Sequence, residues 1–409
     1  MPVRLLSDRT LLVDADVKAD VRPTYRQSYC ISSHHAARPP ALVAMSLPAL
    51  QTALVQTPLA SGIDLPLTIN HETPIPKAPT EHHVLVRVLA VALNPNDHKM
   101  ITHLNMPGGV AGCDFCGLVE PSPDGHTVPR FPAGTRVCGA LFAYNPAHRN
   151  NGSFAQWLVA DSRLLVKVPD AWTDFEAASL GVGWSTLCLA FSDPDALALE
   201  GLPTQPTHKT RDPVLVYGGG TASGTLACQL LTLMGYTPLA VASERSFALA
   251  RSYGAAATAS YTSKDCVGTI KSLTERPIRH VLDCITDIES VPICFSALAR
   301  TGGRYACLEE CPAAWRTRRA VRVKEVMGFQ VLGVDMDLGE STYTRPRSQR
   351  LMDIGMVWAR EMEVLMETGR IRAHPVREVE GGFEGIVSGL EMLRKGEVRG
   401  QKLVVRIPV

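Results

Sequence analysis

The run Gly218-Gly219-Gly220-Thr221-Ala222-Ser223-Gly224 follows a short apolar stretch, Val214-Leu215-Val216-Tyr217. It precedes a helical pattern of Leu226, Leu230, Leu233 and Met234 that stops at Gly235. Strand, tight glycine turn and helix together make a phosphate cradle. Glycines let the backbone approach a pyrophosphate closely, and the N–H groups and dipole of a helix N-terminus favour its negative charge. The Gly-x-Gly-x-x-Gly spacing is imperfect: counting from Gly218 puts Ser223 at the third glycine, and Gly219-Gly220 with Gly224 is the other register. Three glycines after a strand also make an ordinary β–α turn, so the next strand carries the test. It ends Ala242-Ser243-Glu244-Arg245-Ser246. A site for NAD usually places an acidic residue there, whereas a 2′-phosphate wants hydroxyl or cationic donors. Ser243, Arg245 and Ser246 therefore favour NADPH; Glu244, if turned inward, would favour NAD.

The rest of the chain has to position this turn. At 409 residues it is long enough for two or three domains and a large core. Its net charge of +1 gives no reason to expect nucleic acid or an anionic membrane as the main partner. No apolar run reaches the length of a membrane span. Eleven cysteines scattered through strands and helices fit a reduced, cytoplasmic protein and not a disulfide frame. Residues 1–48 have no clear pattern beyond a possible strand in Leu-Leu-Val-Asp-Ala-Asp-Val, and read as a disordered extension. Asp8, Asp14, Asp16 and Asp20 argue against a transit peptide, and Met45 is an alternative start.

From about residue 51 the pattern is β. Residues 81–93 alternate and then become continuously apolar, and short strand signals recur near 117–119, 136–140 and 154–159 between Pro, Gly, Asp and Asn turns. That suggests a compact barrel. Thr173-Asp174-Phe175-Glu176 starts like a capped helix, 181–190 forms a second, and 194–212 reads as a surface loop. After the glycine turn the chain alternates strand and helix. Strands are expected at 239–242, 259–261, 280–285, 304–308 and 329–334, which makes a doubly wound parallel sheet with its ligand at the carboxyl ends. The domain reading is 49–190 for the first part of the barrel and 191–345 for the nucleotide domain; 346–409 reads as helix, short strand, helix and strand.

Two further landmarks are Asn94-Pro95-Asn96-Asp97-His98-Lys99 and Ala111-Gly112-Cys113-Asp114-Phe115-Cys116-Gly117. With Asn151-Gly152-Ser153-Phe154-Ala155 and the glycine turn, they resemble the medium-chain dehydrogenase/reductase superfamily in order and spacing over about residues 50–409. The resemblance implies an α/β fold, with a GroES-like β-barrel substrate domain interrupted by a Rossmann doubly wound parallel sheet, and it alone makes 346–409 a return to the barrel. Zinc-dependent members carry Cys and His-Glu ligands where this chain has Asn94 and Cys113-Asp114. Cys113 and Cys116 are a lone Cys-x-x-Cys pair, so no metal is expected and packing is their reading. A site from Cys113, Asp114, Cys116 and His98 is the alternative.

The glycine turn, Asp283–Thr286, Ser243 with Ser246, Gly-Gly-Phe-Glu-Gly-Ile-Val-Ser-Gly-Leu-Glu-Met-Leu-Arg-Lys-Gly-Glu and Gly-Gln-Lys-Leu-Val-Val-Arg are similar to a narrower group. These are the trans-acting enoyl reductases of fungal highly reducing polyketide synthase pathways, of the lovastatin type. The resemblance implies an NADPH-dependent reductase of the α,β-double bond of a polyketide acyl thioester. The thioester would be held on the acyl carrier domain of a partner polyketide synthase, alone or fused to a nonribosomal peptide synthetase; the reductase itself would be a monomer.

By matching motif, Asn96, Asp97, His98 and Lys99 line the nicotinamide end. Lys99 is the catalytic candidate, placing cofactor or substrate or donating to the thioester oxygen; a solvated barrel lysine is the alternative. Gly220, Thr221, Ala222 and Ser223 hold the pyrophosphate, and Ser243, Glu244, Arg245 and Ser246 surround the 2′-phosphate. Tyr261, Leu308, Glu309, Gly400 and Gln401 complete the cofactor set. The substrate channel is assigned to Gly183, Trp184, Ser185, Thr186, Leu187, Cys188 and Leu189, with Phe329, Gln330, Val331, Leu332 and Gly333. Mitochondrial-type enoyl thioester reductases carry a proton-donating tyrosine soon after Asn-Pro-x-Asp. None lies between Lys99 and Gly117, and no acid is assigned. Arg316, Arg318, Arg319, Arg322 and Lys324 form a basic run suited either to an acidic carrier domain or to solvent. A free-standing quinone or 2-alkenal oxidoreductase and a non-catalytic NADPH-binding accessory protein are the competing functions.

Overall fold

The computed structural model describes residues 47–121, 128–207 and 211–408. The expected N-terminal extension and its possible strand lie outside them, apart from residues 47 and 48. Leu50–Gln56 and Leu67–Pro74 form an antiparallel hairpin. The strand His83–Ala92 is the axis of a seven-stranded sheet, pairing antiparallel with Asp114–Val119, Trp157–Asp161 and Lys402–Arg406. Its run of Val, Leu and Ala is nearly continuous because a strand enclosed on both faces has no solvent side to keep polar. Val404 lies opposite Ala92 and Val405 opposite Val91, so the C-terminal strand Lys402–Arg406 joins the sheet built on His83–Ala92. The helix after Thr173 carries the expected cap: Thr173 Oγ1 accepts from Glu176 N at 3.2 Å, and Glu176 Oε2 accepts from Thr173 N at 2.9 Å.

The second sheet has six parallel strands. Their order is Ala257–Ser260, Thr237–Ala242, Pro213–Tyr217, His280–Asp283, Gly303–Cys307, Val321–Glu325. Chain order reverses at the fully buried strand Pro213–Tyr217, and a crevice opens at such a switch point beyond the strand ends. The glycine turn sits there.

The structure corrects the expected sixth strand. Val321–Glu325 forms it, with Arg322, Val323, Lys324 and Glu325 only partly covered, as suits an edge strand. Its charges hid it in the sequence. The apolar run that stood in for it is a 3-10 turn, Gly328–Leu332, whose Phe329 and Val331 are buried in the core. A short apolar run cannot be told from a buried turn by its pattern alone. The stretch after Pro194 also differs from a surface loop, since Ala196, Leu197 and Leu199 are buried in the core. Within the basic run Arg316 pairs with Glu325, Lys324 with Asp193, and Arg318 donates to the carbonyls of Phe295, Leu298, Ala299 and Arg300, while Arg316, Arg319 and Arg322 are exposed.

Candidate active site

A cleft of about 1180 Å³ lies between the barrel and the carboxyl ends of the parallel strands. One wall is the glycine turn. Gly218 has φ +82°, in the left-handed region that favours glycine. A Cβ on Gly224 would stand 2.2 Å from Gly218 O, so the helix Ala222–Leu233 packs against the turn at a distance only glycine permits. Thr221 caps that helix, its Oγ1 accepting from Gly224 N at 3.0 Å, which leaves the helix N-terminus facing the cleft. Ser243 and Ser246 line the cleft beside it, their hydroxyls 3.1 Å apart. A dinucleotide fits this wall: the backbone is closely packed, the helix dipole points at the space, and two hydroxyls stand beyond the second strand.

The turn after His280–Asp283 is built by one carboxylate. Asp283 is buried; Oδ1 accepts from Ile285 N and Thr286 N, both at 2.9 Å, and Oδ2 accepts from Ser290 Oγ at 2.6 Å and the Tyr305 phenol at 2.8 Å. These bonds hold Thr286 at φ +60°, unusual for a β-branched residue. The Thr286 hydroxyl then accepts from Leu308 N at 3.2 Å. Asp283 thus fixes the segment that carries Leu308 and Glu309.

The opposite wall is the helix Pro95–His103. Asn94 caps it, and Asp97 Oδ2 accepts from Asn94 N at 2.8 Å. Asp97 itself is fully buried, and burial pushes its carboxyl up to about 7, with the charge of Asp114 adding to the effect. Two residues on, Lys99 Nζ crosses the cleft to Glu309 Oε1 at 2.5 Å. The buried ammonium of Lys402 lies below, paired with Asp114 Oδ2 at 3.1 Å and donating to Asn94 Oδ1. Nearby His374 is pushed down to about 4 by burial and then by Lys402, so it stands neutral, 2.9 Å from Thr225 Oγ1.

Of the residues singled out in the sequence, Asn96, Lys99, Gly220, Thr221, Ala222, Ser223, Ser243, Ser246, Tyr261, Leu308, Glu309, Gly400 and Gln401 line the cleft together. Asp97, which is buried, His98, which is half-buried, and the exposed Glu244 and Arg245 are not part of this lining. Thr186 lines it, packed so closely on Gly328 that a Cβ there would meet the Thr186 hydroxyl at 2.4 Å. Its neighbours Trp184, Ser185, Leu187, Cys188 and Leu189 are buried, and Gly183 packs near Leu226. Helical periodicity explains this, since Val182 and Thr186 are one turn apart and share the cleft face. Phe329 lines the cleft; Gln330, Val331, Leu332 and Gly333 do not.

Sequence reasoning missed Asn94, Lys402 and His374 on the floor, and Leu338, Ser341, Thr342 and Tyr343 along one rim. A lysine in a strand and a tyrosine in a polar loop carry no spacing signal. Cys113 and Cys116 fall into different apolar clusters, and among the described residues no group of three or more His, Cys, Asp or Glu is placed to hold a metal ion.

Residues 80–170 match the alcohol dehydrogenase GroES-like domain, and residues 222–308 match the zinc-binding dehydrogenase family. Among solved structures, the enoyl reductase CurK shares the fold with a TM-score of 0.64 at 17% identity, over 88% of this chain and 99% of that one. A Pseudomonas syringae quinone oxidoreductase does so with a TM-score of 0.66 at 18% identity, over 88% and 100%. The barrel, the parallel sheet and the cleft between them define a medium-chain dehydrogenase/reductase, which implies a nicotinamide cofactor. The trans-enoyl reductase calK of Penicillium decumbens is 67% identical over 370 residues, 89% of this chain and 100% of that protein. The trans-enoyl reductase sthE of Phaeosphaeria nodorum is 51% identical over 359 residues, 87% of this chain and 97% of that protein. The chain belongs to the trans-enoyl reductase family.

Proposed function

We propose that this chain reduces the α,β-double bond of an acyl thioester held on the carrier domain of a partner highly reducing polyketide synthase, with NADPH as reductant and as a monomer. The observation that carries this reading is Lys99, whose ammonium enters the cleft from the barrel side and meets Glu309 from the sheet side at 2.5 Å. Bound in the glycine cradle, the nicotinamide cofactor supplies a hydride. The chain supplies the rest. Hydride addition at the β-carbon throws negative charge onto the thioester oxygen, where a fixed donor is worth most in a cleft partly closed to water. Lys99 and Thr186 both line the cleft and carry donors. Ser243 and Ser246 in the lining, with Glu244 turned to solvent, support a 2′-phosphate and hence NADPH. In this reading residues 49–190 and 346–409 serve the substrate and 191–345 the cofactor. Purified protein is expected to oxidise NADPH with a crotonyl-pantetheine thioester and to leave a quinone unreduced. The reverse preference would refute the reading in favour of a quinone oxidoreductase.

A further inference from the structure

Three polar side chains from distant parts of the chain meet at one wall of the cleft. Glu309, just past the strand Gly303–Cys307, accepts from Lys99 Nζ through Oε1 at 2.5 Å and from the Tyr343 phenol through Oε2 at 3.3 Å. All three line the cleft. The role given to Lys99 leaves the phenol unused, and the reduction still lacks a source for its proton.

The loop that carries Tyr343 is fixed at both ends. Met336 and Arg345 exchange backbone hydrogen bonds of 2.9 and 3.0 Å, and Met336 is fully buried. Asn145 Nδ2 donates to Asp335 O at 3.1 Å, and Arg347 N donates to Asp335 Oδ1 at 2.9 Å. A side chain on so braced a loop is held in place as catalysis requires. Burial, followed by the charge of Glu309, pushes the Tyr343 phenol up to about 12, so it keeps its proton at neutral pH. The Glu310 N–H acts in the opposite sense and favours a negative oxygen at the same place.

We propose that Tyr343 is the acid of the reduction, its Oη giving a proton to the α-carbon of the enoyl thioester, with Glu309 and Lys99 linking it back to solvent. The step balances. Once hydride has formed the β-carbon C–H bond, the electron pair of the double bond rests on the α-carbon and thioester oxygen. The Tyr343 O–H bond breaks and its proton forms the α-carbon C–H bond. The phenolate takes a proton from the Lys99 ammonium by way of Glu309, and Lys99 is reprotonated from water. Two electrons and one proton beyond the hydride nucleus are thereby accounted for, and the chain returns to its starting state.

This inference rests on the function proposed above, and the test separates the two. Parent and Tyr343→Phe are compared on crotonyl-pantetheine with NADPH, in water and in deuterium oxide, and NADPH binding is titrated by fluorescence. For the variant, kcat is expected to fall by about 10²-fold while KM stays within about threefold, the pattern of an interaction made only in the transition state. The deuterium taken up at the α-carbon should lose its preference for one face, and the NADPH Kd should stay at the parent value. A variant with kcat within about threefold of the parent and intact facial selectivity would overturn the assignment of the acid. A parent that cannot reduce the thioester would overturn the proposed function and the acid with it.

Discussion

Asp97→Asn should change how stability depends on pH. Asp97 is fully buried; Oδ2 is bonded to Asn94 N at 2.8 Å, and Oδ1 makes no hydrogen bond among the described residues. Burial raises the carboxyl from 3.8 to about 7; Asp114 adds to the shift, and the Asn94 N–H, Cys113 and Lys402 offset it only in part. The folded chain therefore holds a proton that the unfolded chain has released between about pH 4 and pH 7. Where the unfolded state binds fewer protons, stability falls as pH rises. The contribution of the protonated carboxyl is complete below about pH 4 and gone above about pH 7. At about 1.4 kcal/mol per pKa unit the whole span is worth about 4 kcal/mol as a ceiling, of which about 3 kcal/mol falls between pH 5 and pH 8. Asparagine keeps an oxygen for Asn94 N and cannot ionise. Urea unfolding of both proteins, followed by tryptophan fluorescence in steps from about pH 5 to pH 8, reads the difference directly. The parent should lose stability relative to the variant as pH rises. A difference that stays flat across this range would refute the reasoning.

Gly224→Ala forces a Cβ to within 2.2 Å of the Gly218 carbonyl, where both partners are backbone. It should cost about 1–3 kcal/mol in a thermal melt and weaken NADPH binding in the same fluorescence titration. Ser243→Asp places an acid where a hydroxyl lines the cleft 3.1 Å from Ser246 Oγ. The ratio of kcat/KM for NADPH over NADH should fall by about tenfold or more.

Much of the parallel sheet was legible because its strands are enclosed on both faces and are punctuated by glycine. The turn at Gly218–Gly220 and the helix ended by Gly235 follow from local pattern, whereas the pairing of the C-terminal strand with His83–Ala92 does not. The sixth strand was not legible, because Val321–Glu325 lies at the sheet edge and carries charge, while the neighbouring apolar turn has the composition of a strand. At the site, the cradle could be read from spacing within one segment, whereas Lys99 was pointed to only by the resemblance of Asn94–Lys99 to the superfamily's motif. The face of Gly181–Ser192 that meets the cleft could not, since a helix apolar on nearly every side hides its orientation. Glu309 and Tyr343 are 34 positions apart, and Lys402 and Asp114 are 288 apart. Pairings across such separations exist only once the sheet has brought the segments together. The same holds for Lys99, whose partner was in the sequence-derived set without any sign that the two would touch.

The account rests on hydride delivery from a cofactor in the glycine cradle to an enoyl thioester reached through the cleft. Its most direct test presents that substrate as a partner would, as an enoyl group loaded on an isolated carrier domain of a highly reducing polyketide synthase. The protein and NADPH carrying deuterium at the transferable position are added, and the carrier is followed by intact mass. The account predicts a gain of one deuterium and one proton, with the deuterium on the β-carbon. A carrier that keeps its unsaturated mass while free NADPH is bound normally would contradict it.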